Sequence, residues 1–159
     1  MNTLIILSAK YLYIVVILVA MIYFFQQNLS KKKEIAWVGI ISLILTYIVA
    51  KIGSFLYFDP RPFTITHITP LIAHVADNGF PSDHTLISAA FAAIIFAYDK
   101  KIGIILWVLT LLVAISRVAA GVHHIVDIVG SMIIAASVTA VVYYFILPKL
   151  PRNSSGSLE

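Results

Sequence analysis

Residues 35–58 read IAWVGIISLILTYIVAKIGSFLYF, an apolar run broken by one charge, Lys51. A helix needs about 20 mainly apolar residues to cross a bilayer, and this run supplies them. Working outward, further runs follow at 4–25, 85–98, 102–115 and 125–147. The third and fourth are short for a span, so each is expected to draw in its polar neighbours. The whole chain of 159 residues is 61% hydrophobic and 11% charged, with a mean hydropathy of +1.01. Soluble domains are about 45–50% apolar and about 25% charged. One soluble core of this size cannot hide that much apolar surface. Soluble, disordered and fibrous classes are thereby excluded. The expectation is an all-α polytopic transmembrane bundle of about five spans, one domain over 1–150. Residues 151–159 read as a tail, in which Asn153–Glu159 resembles a cloning scar. The absence of cysteine excludes disulfides and thiolate metal sites. The first run carries Lys10 and no small-residue cleavage site, so it reads as a retained anchor.

Basic residues set the topology. Lys31, Lys32 and Lys33 lie between the first two runs, Lys100 and Lys101 between the third and fourth, and Lys149 and Arg152 after the fifth. In a five-span zigzag these three places share one side, which the positive-inside rule makes cytoplasmic. Lys10, Lys51, Arg61 and Arg117 fall on the outer half, with all five histidines, His67, His74, His84, His123 and His124. Topology does not explain those outer cations. Ionisable groups near membrane depth are costly and mark function.

Three outer stretches carry chemistry. Asp59-Pro60-Arg61-Pro62-Phe63 ends the second span with two prolines and holds an arginine at the membrane surface. Read alone, it is equally a terminating turn with a snorkelling side chain. Phe80-Pro81-Ser82-Asp83-His84-Thr85 opens the third span. Ser82 suits an N-cap, Asp83 suits the first turn, and a helix N-terminus with free N–H groups is a phosphate cradle beside His84. Ser116-Arg117, then His123 and Asp127, flank the start of the fifth span. With the fifth span beginning near His123, His123 and Asp127 are i and i+4 on one helix face, so a carboxylate can hold Nδ1 and leave Nε2 free as base, nucleophile or ligand. Gly121 allows a close turn before them. His124 reads as a neighbour, and the loop at 65–75 with His67 and His74 as either solvated or membrane-lying.

Together these stretches resemble the type 2 phosphatidic acid phosphatase family. Its signatures are Lys-x6-Arg-Pro, Pro-Ser-Gly-His and Ser-Arg-x5-His-x3-Asp. The third matches fully from Ser116 to Asp127, and the second matches except for Asp83 in place of glycine. The first keeps Arg61-Pro62, but Ser54 stands where the lysine belongs and Lys51 lies one turn earlier. The wording around Arg61 and Ser82 is most similar to the bacitracin-resistance type of undecaprenyl-diphosphate phosphatase.

The resemblance implies a multi-pass plasma-membrane lipid phosphatase acting on a polyprenyl diphosphate, with its site on the extracytoplasmic face. It implies His123 as a nucleophile forming a phosphohistidine, Asp127 as its orienting partner and His84 as the acid–base. It implies phosphate binding by Arg61, Arg117, Ser82, Asp83 and Lys51. Asp83 is either a helix-dipole partner or an indirect contact of a second phosphate. No metal and no cofactor are implied. The partners implied are the lipid substrate and the bilayer, with no nucleic acid. The runner-up substrates are phosphatidylglycerophosphate and phosphatidic acid, and the non-enzymatic alternative is a transporter or channel component.

Overall fold

The structure is a computed structural model that describes residues 2–66 and 68–149; His67, Arg152 and the tail lie outside the described residues. It is all-α among those residues. The helices are α1 Asn2–Gln26, α2 Leu29–Leu56, the single turn α3 Pro62–Ile65, α4 Asp83–Tyr98, α5 Lys100–Ala119 and α6 Ile125–Val141. The chain continues from α6 through a π turn, Val142–Ile146, and a 3-10 turn, Leu147–Lys149.

Four helical stretches are long and apolar enough to span: α1, α2, α5 and Ile125–Lys149. The expected fifth, α4, has 16 residues, a length of about 24 Å against a hydrocarbon thickness of about 30 Å. Its position reconciles the two. It packs against α1, α2, α5 and α6, and Ala89, Ala90, Ala92 and Ala93 along it are buried. Small side chains let neighbouring helices approach closely, which is how bundles pack where lipid competes for large apolar groups. A helix so enclosed meets protein more than lipid. Its neighbour α5 did lengthen as its short apolar run required, taking in Lys100 at one end and Arg117 at the other.

Large apolar side chains point outward instead. Leu18, Ile22, Trp37, Ile44, Ile115 and Ile133 are all exposed. Such a surface is far beyond what a soluble monomer presents, and it forms the lipid-facing belt. Two apolar grooves open on it, about 240 Å³ between α1, α2 and α4 and about 430 Å³ between α5 and α6.

Antiparallel neighbours put Lys31–Lys33, Lys100 and Lys101 and Lys149 at one end. The opposite end is closed by the segment joining α2 to α4. Its far stretch is pinned where the Leu71 N–H donates to the Ala120 carbonyl at 3.0 Å. Ile72 is buried there with Ala9, Ala120 and Val122. Its near stretch is held by Asn78. The Asn78 side-chain oxygen accepts from the N–H of Asp59 at 2.9 Å and of Phe80 at 3.0 Å. Its amide donates to the carbonyls of Ser54 at 2.9 Å and Tyr57 at 3.0 Å. One side chain thus fixes the Arg61 turn and the lead-in to α4 to the end of α2.

Candidate active site

Apart from the phenol of Tyr23, four ionisable side chains are buried among the described residues: Arg61, Arg117, His123 and Asp127. All four lie at the end away from the lysines. Buried charge is costly unless paired, and each has partners that explain its position.

The centre is His123. It precedes α6 rather than standing on it: His124 is the N-cap and Asp127 the third helical residue. Asp127 reaches back, and its Oδ2 accepts from the His124 N–H at 2.9 Å while meeting His123 Nδ1 at 3.1 Å. The carboxylate that caps the helix is therefore the one that orients the imidazole. Gly121, at φ +75, makes the left-handed turn that delivers His123 from α5. Gly79 leaves room on the other side, since a Cβ there would stand 2.9 Å from Asp127 Oδ2.

His123 Nε2 lies 3.3 Å from Arg61 Nη1 and 3.4 Å from Arg117 Nη2. Guanidinium groups only donate, so Nε2 is the unprotonated nitrogen and Nδ1 carries the proton toward Asp127. The lone pair points between two cations. Burial first, and then the Arg117 and Arg61 charges, lower the His123 pKa against the opposing pull of Asp127. The ring is thus held neutral, as a nucleophile or ligand requires.

Each arginine is anchored. Arg61 Nε pairs with Asp77 Oδ1 at 2.7 Å, and its Nη1 donates to the Val122 carbonyl at 2.9 Å. Burial would raise the Asp77 pKa, but the Arg61 hydrogen bond and charge outweigh it and the net shift is downward. Arg117 Nη1 donates to the Ala9 carbonyl of α1 at 3.2 Å. The first helix thus helps to build the site.

His84 stands in the first turn of α4, its ring edge-on to Tyr13 at 4.6 Å. It is within electrostatic reach of Arg117, His123 and His74. Ser82 occupies the N-cap position, as expected, but its side chain caps no backbone N–H. It is fully buried, and its Oγ accepts from Thr85 Oγ1 at 3.2 Å. Its carbonyl accepts from Ser131 Oγ at 3.1 Å, which ties the start of α4 to α6. Asp83 is exposed and acts electrostatically on Arg117. The structure does not bring Lys51 to this cluster. It is exposed, with its ammonium 5.4 Å over the Tyr47 ring.

Several contributors escaped the sequence reading. Asp77 and Asn78 hold Arg61 and its turn. Asp59 and His124 form a second acid–imidazole pair, Oδ2 to Nδ1 at 3.0 Å. Burial first, and next the Asp127 charge, raise the Asp59 pKa. Asp59, His124 and Asp127 place potential ligand atoms within 4.8 Å of one another. The His124 Nδ1 and the shared Asp127 oxygen are both engaged in hydrogen bonds. His74, read as loop, lies with its ring 6.1 Å from that of His123. The sequence signal for these groups is polar character beside or within otherwise apolar segments.

The sequence model of the PAP2 superfamily matches residues 35–150. The chain belongs to the PAP2 superfamily. It is 35% identical to the Bacillus subtilis (strain 168) protein named undecaprenyl-diphosphatase BcrC, over 68% of this chain and 55% of that protein. It therefore spans just over half the length of that relative. It is 29% identical to the Bacillus licheniformis protein named bacitracin transport permease protein BcrC, over 94% of this chain and 73% of that one. A putative undecaprenyl-diphosphatase YbjG of Escherichia coli (strain K12) is 31% identical over 84% of this chain and 67% of its own. The resemblance to the bacitracin-resistance type, read from the motifs, is borne out by these relatives. Two crystal structures share the fold. Aquifex aeolicus LpxE has a TM-score of 0.72 at 20% identity, covering 94% of this chain and 86% of that one. A PAP2-type phosphatidylglycerolphosphate phosphatase from Bacillus subtilis has a TM-score of 0.61 at 21% identity, covering 96% and 79%.

Proposed function

We propose that this PAP2 protein is an integral-membrane lipid phosphatase that converts a polyprenyl diphosphate, of the undecaprenyl kind, to the monophosphate. The observation that carries the reading is the His123 lone pair, aimed between Arg61 and Arg117 and fixed from behind by Asp127. A phosphoryl group is a poor electrophile because it is anionic. Positioning and charge neutralisation are what the protein must supply, and two buried guanidiniums beside a neutral imidazole supply both.

In the first step His123 Nε2 bonds to the terminal phosphorus as the bridging P–O bond breaks. The lipid monophosphate leaves, and His84 gives its proton to the leaving oxygen. In the second step His84 takes a proton from water, the water oxygen bonds to phosphorus, and the N–P bond breaks to release inorganic phosphate. Arg61 and Arg117 hold the non-bridging oxygens throughout, with the N–H groups at the start of α4 beside them. Ser82 supports that start from within, and Asp83 acts as its dipole partner.

The cationic side chains do the work that a metal does elsewhere. Phosphate release from a lipid diphosphate in detergent is expected to continue in EDTA. Complete loss in EDTA, restored by magnesium, would count against this two-histidine mechanism.

The site is read as extracytoplasmic from the lysine distribution. Ala76 is exposed on the closing segment and belongs to none of the contacts above. In this cysteine-free chain, Ala76→Cys is expected to react with an impermeant maleimide in intact cells. Reaction only after lysis would reverse the topology. A transport reading, with charges lining a pathway, has less behind it. A pathway needs polar groups near the midplane, and there the buried polar side chains are hydroxyls such as Thr46, Ser88 and Thr110.

A further inference from the structure

Resting on the diphosphatase reading, we propose that His74 is a specificity residue, binding the inner, lipid-linked phosphate while Arg61 and Arg117 hold the terminal one. His74 is half-buried at the mouth of the cluster, its ring edge-on to His123 at a centroid distance of 6.1 Å. It is within electrostatic reach of Arg61, Arg117 and His123, of His84 and of Asp77. His74 thus neighbours both proposed catalytic histidines.

Its position is built and not incidental to a free loop. Three residues before it, Leu71 is bonded to Ala120, and Ile72 is buried against Val122, next to His123. Three residues after it, Asp77 grips Arg61 at 2.7 Å, and Asn78 follows with its own bonds to α2. The elements that carry the nucleophile and the first arginine thus hold His74 on both sides.

The ring is poorly occupied by the protein itself. Its one hydrogen bond among the described residues joins Nδ1 to the neighbouring Val75 carbonyl at 3.4 Å. Nε2 is left for a ligand. Burial first and the Arg61 charge next lower its pKa in the free protein. An arriving phosphate brings the opposite field and favours the imidazolium, whose Nε2–H then donates to a phosphate oxygen. A monophosphate seated on the two arginines has no second phosphate to offer. The arrangement therefore discriminates a diphosphate from a monophosphate by one charge-assisted hydrogen bond.

The test uses the purified full chain and two substrates, a prenyl diphosphate and the monophosphate of the same prenyl chain. His74→Leu keeps bulk in the loop but offers no donor, and His74→Gln restores a donor. For His74→Leu the diphosphate kcat/KM is expected to fall about 10- to 100-fold, mainly through KM, and the monophosphate value by no more than about threefold. His74→Gln is expected to recover most of the loss. Equal losses on both substrates, no loss on the diphosphate, or a Gln variant no better than Leu would overturn the assignment. Wild-type protein that hydrolyses the monophosphate and not the diphosphate would overturn the underlying reading instead.

Discussion

His123→Ala is expected to abolish turnover of every substrate, with a fall in kcat on the order of 10⁴-fold or more. Its imidazole lone pair faces the arginine pair, at 3.3 and 3.4 Å. Alanine removes the covalent route, and the arginines can then only bind. Substrate affinity is expected to survive, because Arg61 keeps Asp77 and the Val122 carbonyl, and Arg117 keeps the Ala9 carbonyl. Steady-state assays separate these effects: kcat collapses while competition by inorganic phosphate persists. A variant that kept even one hundredth of wild-type kcat would remove His123 from the nucleophile's place.

The second large effect belongs to His84→Ala, and it is expected to depend on the leaving group. A lipid monophosphate must expel an alkoxide, which needs a proton as the bond breaks. A lipid diphosphate expels a phosphate, which needs one less. Monophosphate hydrolysis is therefore expected to fall by about 10²–10⁴, the usual contribution of a general acid, and the first step on a diphosphate by less. With the diphosphate, the phosphorylated protein is expected to accumulate, because the base that activates water is gone. His84→Ala thus penalises the monophosphate more, whereas loss of His74 penalises the diphosphate more. Full monophosphate activity in His84→Ala would assign the acid elsewhere.

Much of this was legible in the sequence because the bilayer leaves so few options. Backbone groups in lipid must bond within a helix or a closed barrel, so apolar runs located the helices and lysines ordered their ends. The length of α4 was harder to anticipate. A helix ringed by others need not match the bilayer, and only the alanines at 89, 90, 92 and 93 hint at such enclosure. In the site, Arg61, Arg117, His123 and Asp127 come together as the resemblance implied, and His84 stands within electrostatic reach of Arg117 and His123. The geometry of the pair differs from the expected single helix face. His123 sits before the cap, and Asp127 serves cap and imidazole with one oxygen.

Lys51 illustrates the limit of spacing arguments. It lies one turn from Ser54, yet it is exposed against Tyr47 and away from the cluster. A long side chain at a helix end follows the nearest ring and water rather than the motif. The closing segment was least legible. His74, Asp77 and Asn78 act through contacts 16 to 24 residues or more away in sequence, and nothing local in an apolar loop announces them.

In the proposed mechanism phosphate passes through His123. The most direct measurement is rapid acid-free quenching of purified protein mixed with a prenyl diphosphate labelled at its terminal phosphorus, followed by peptide mapping. Label is expected on the peptide containing His123, stable to base and lost in acid, and absent from His123→Ala. Turnover with no labelled protein at any time, in wild type and in His84→Ala alike, would contradict it, as would label that persists when His123 is gone.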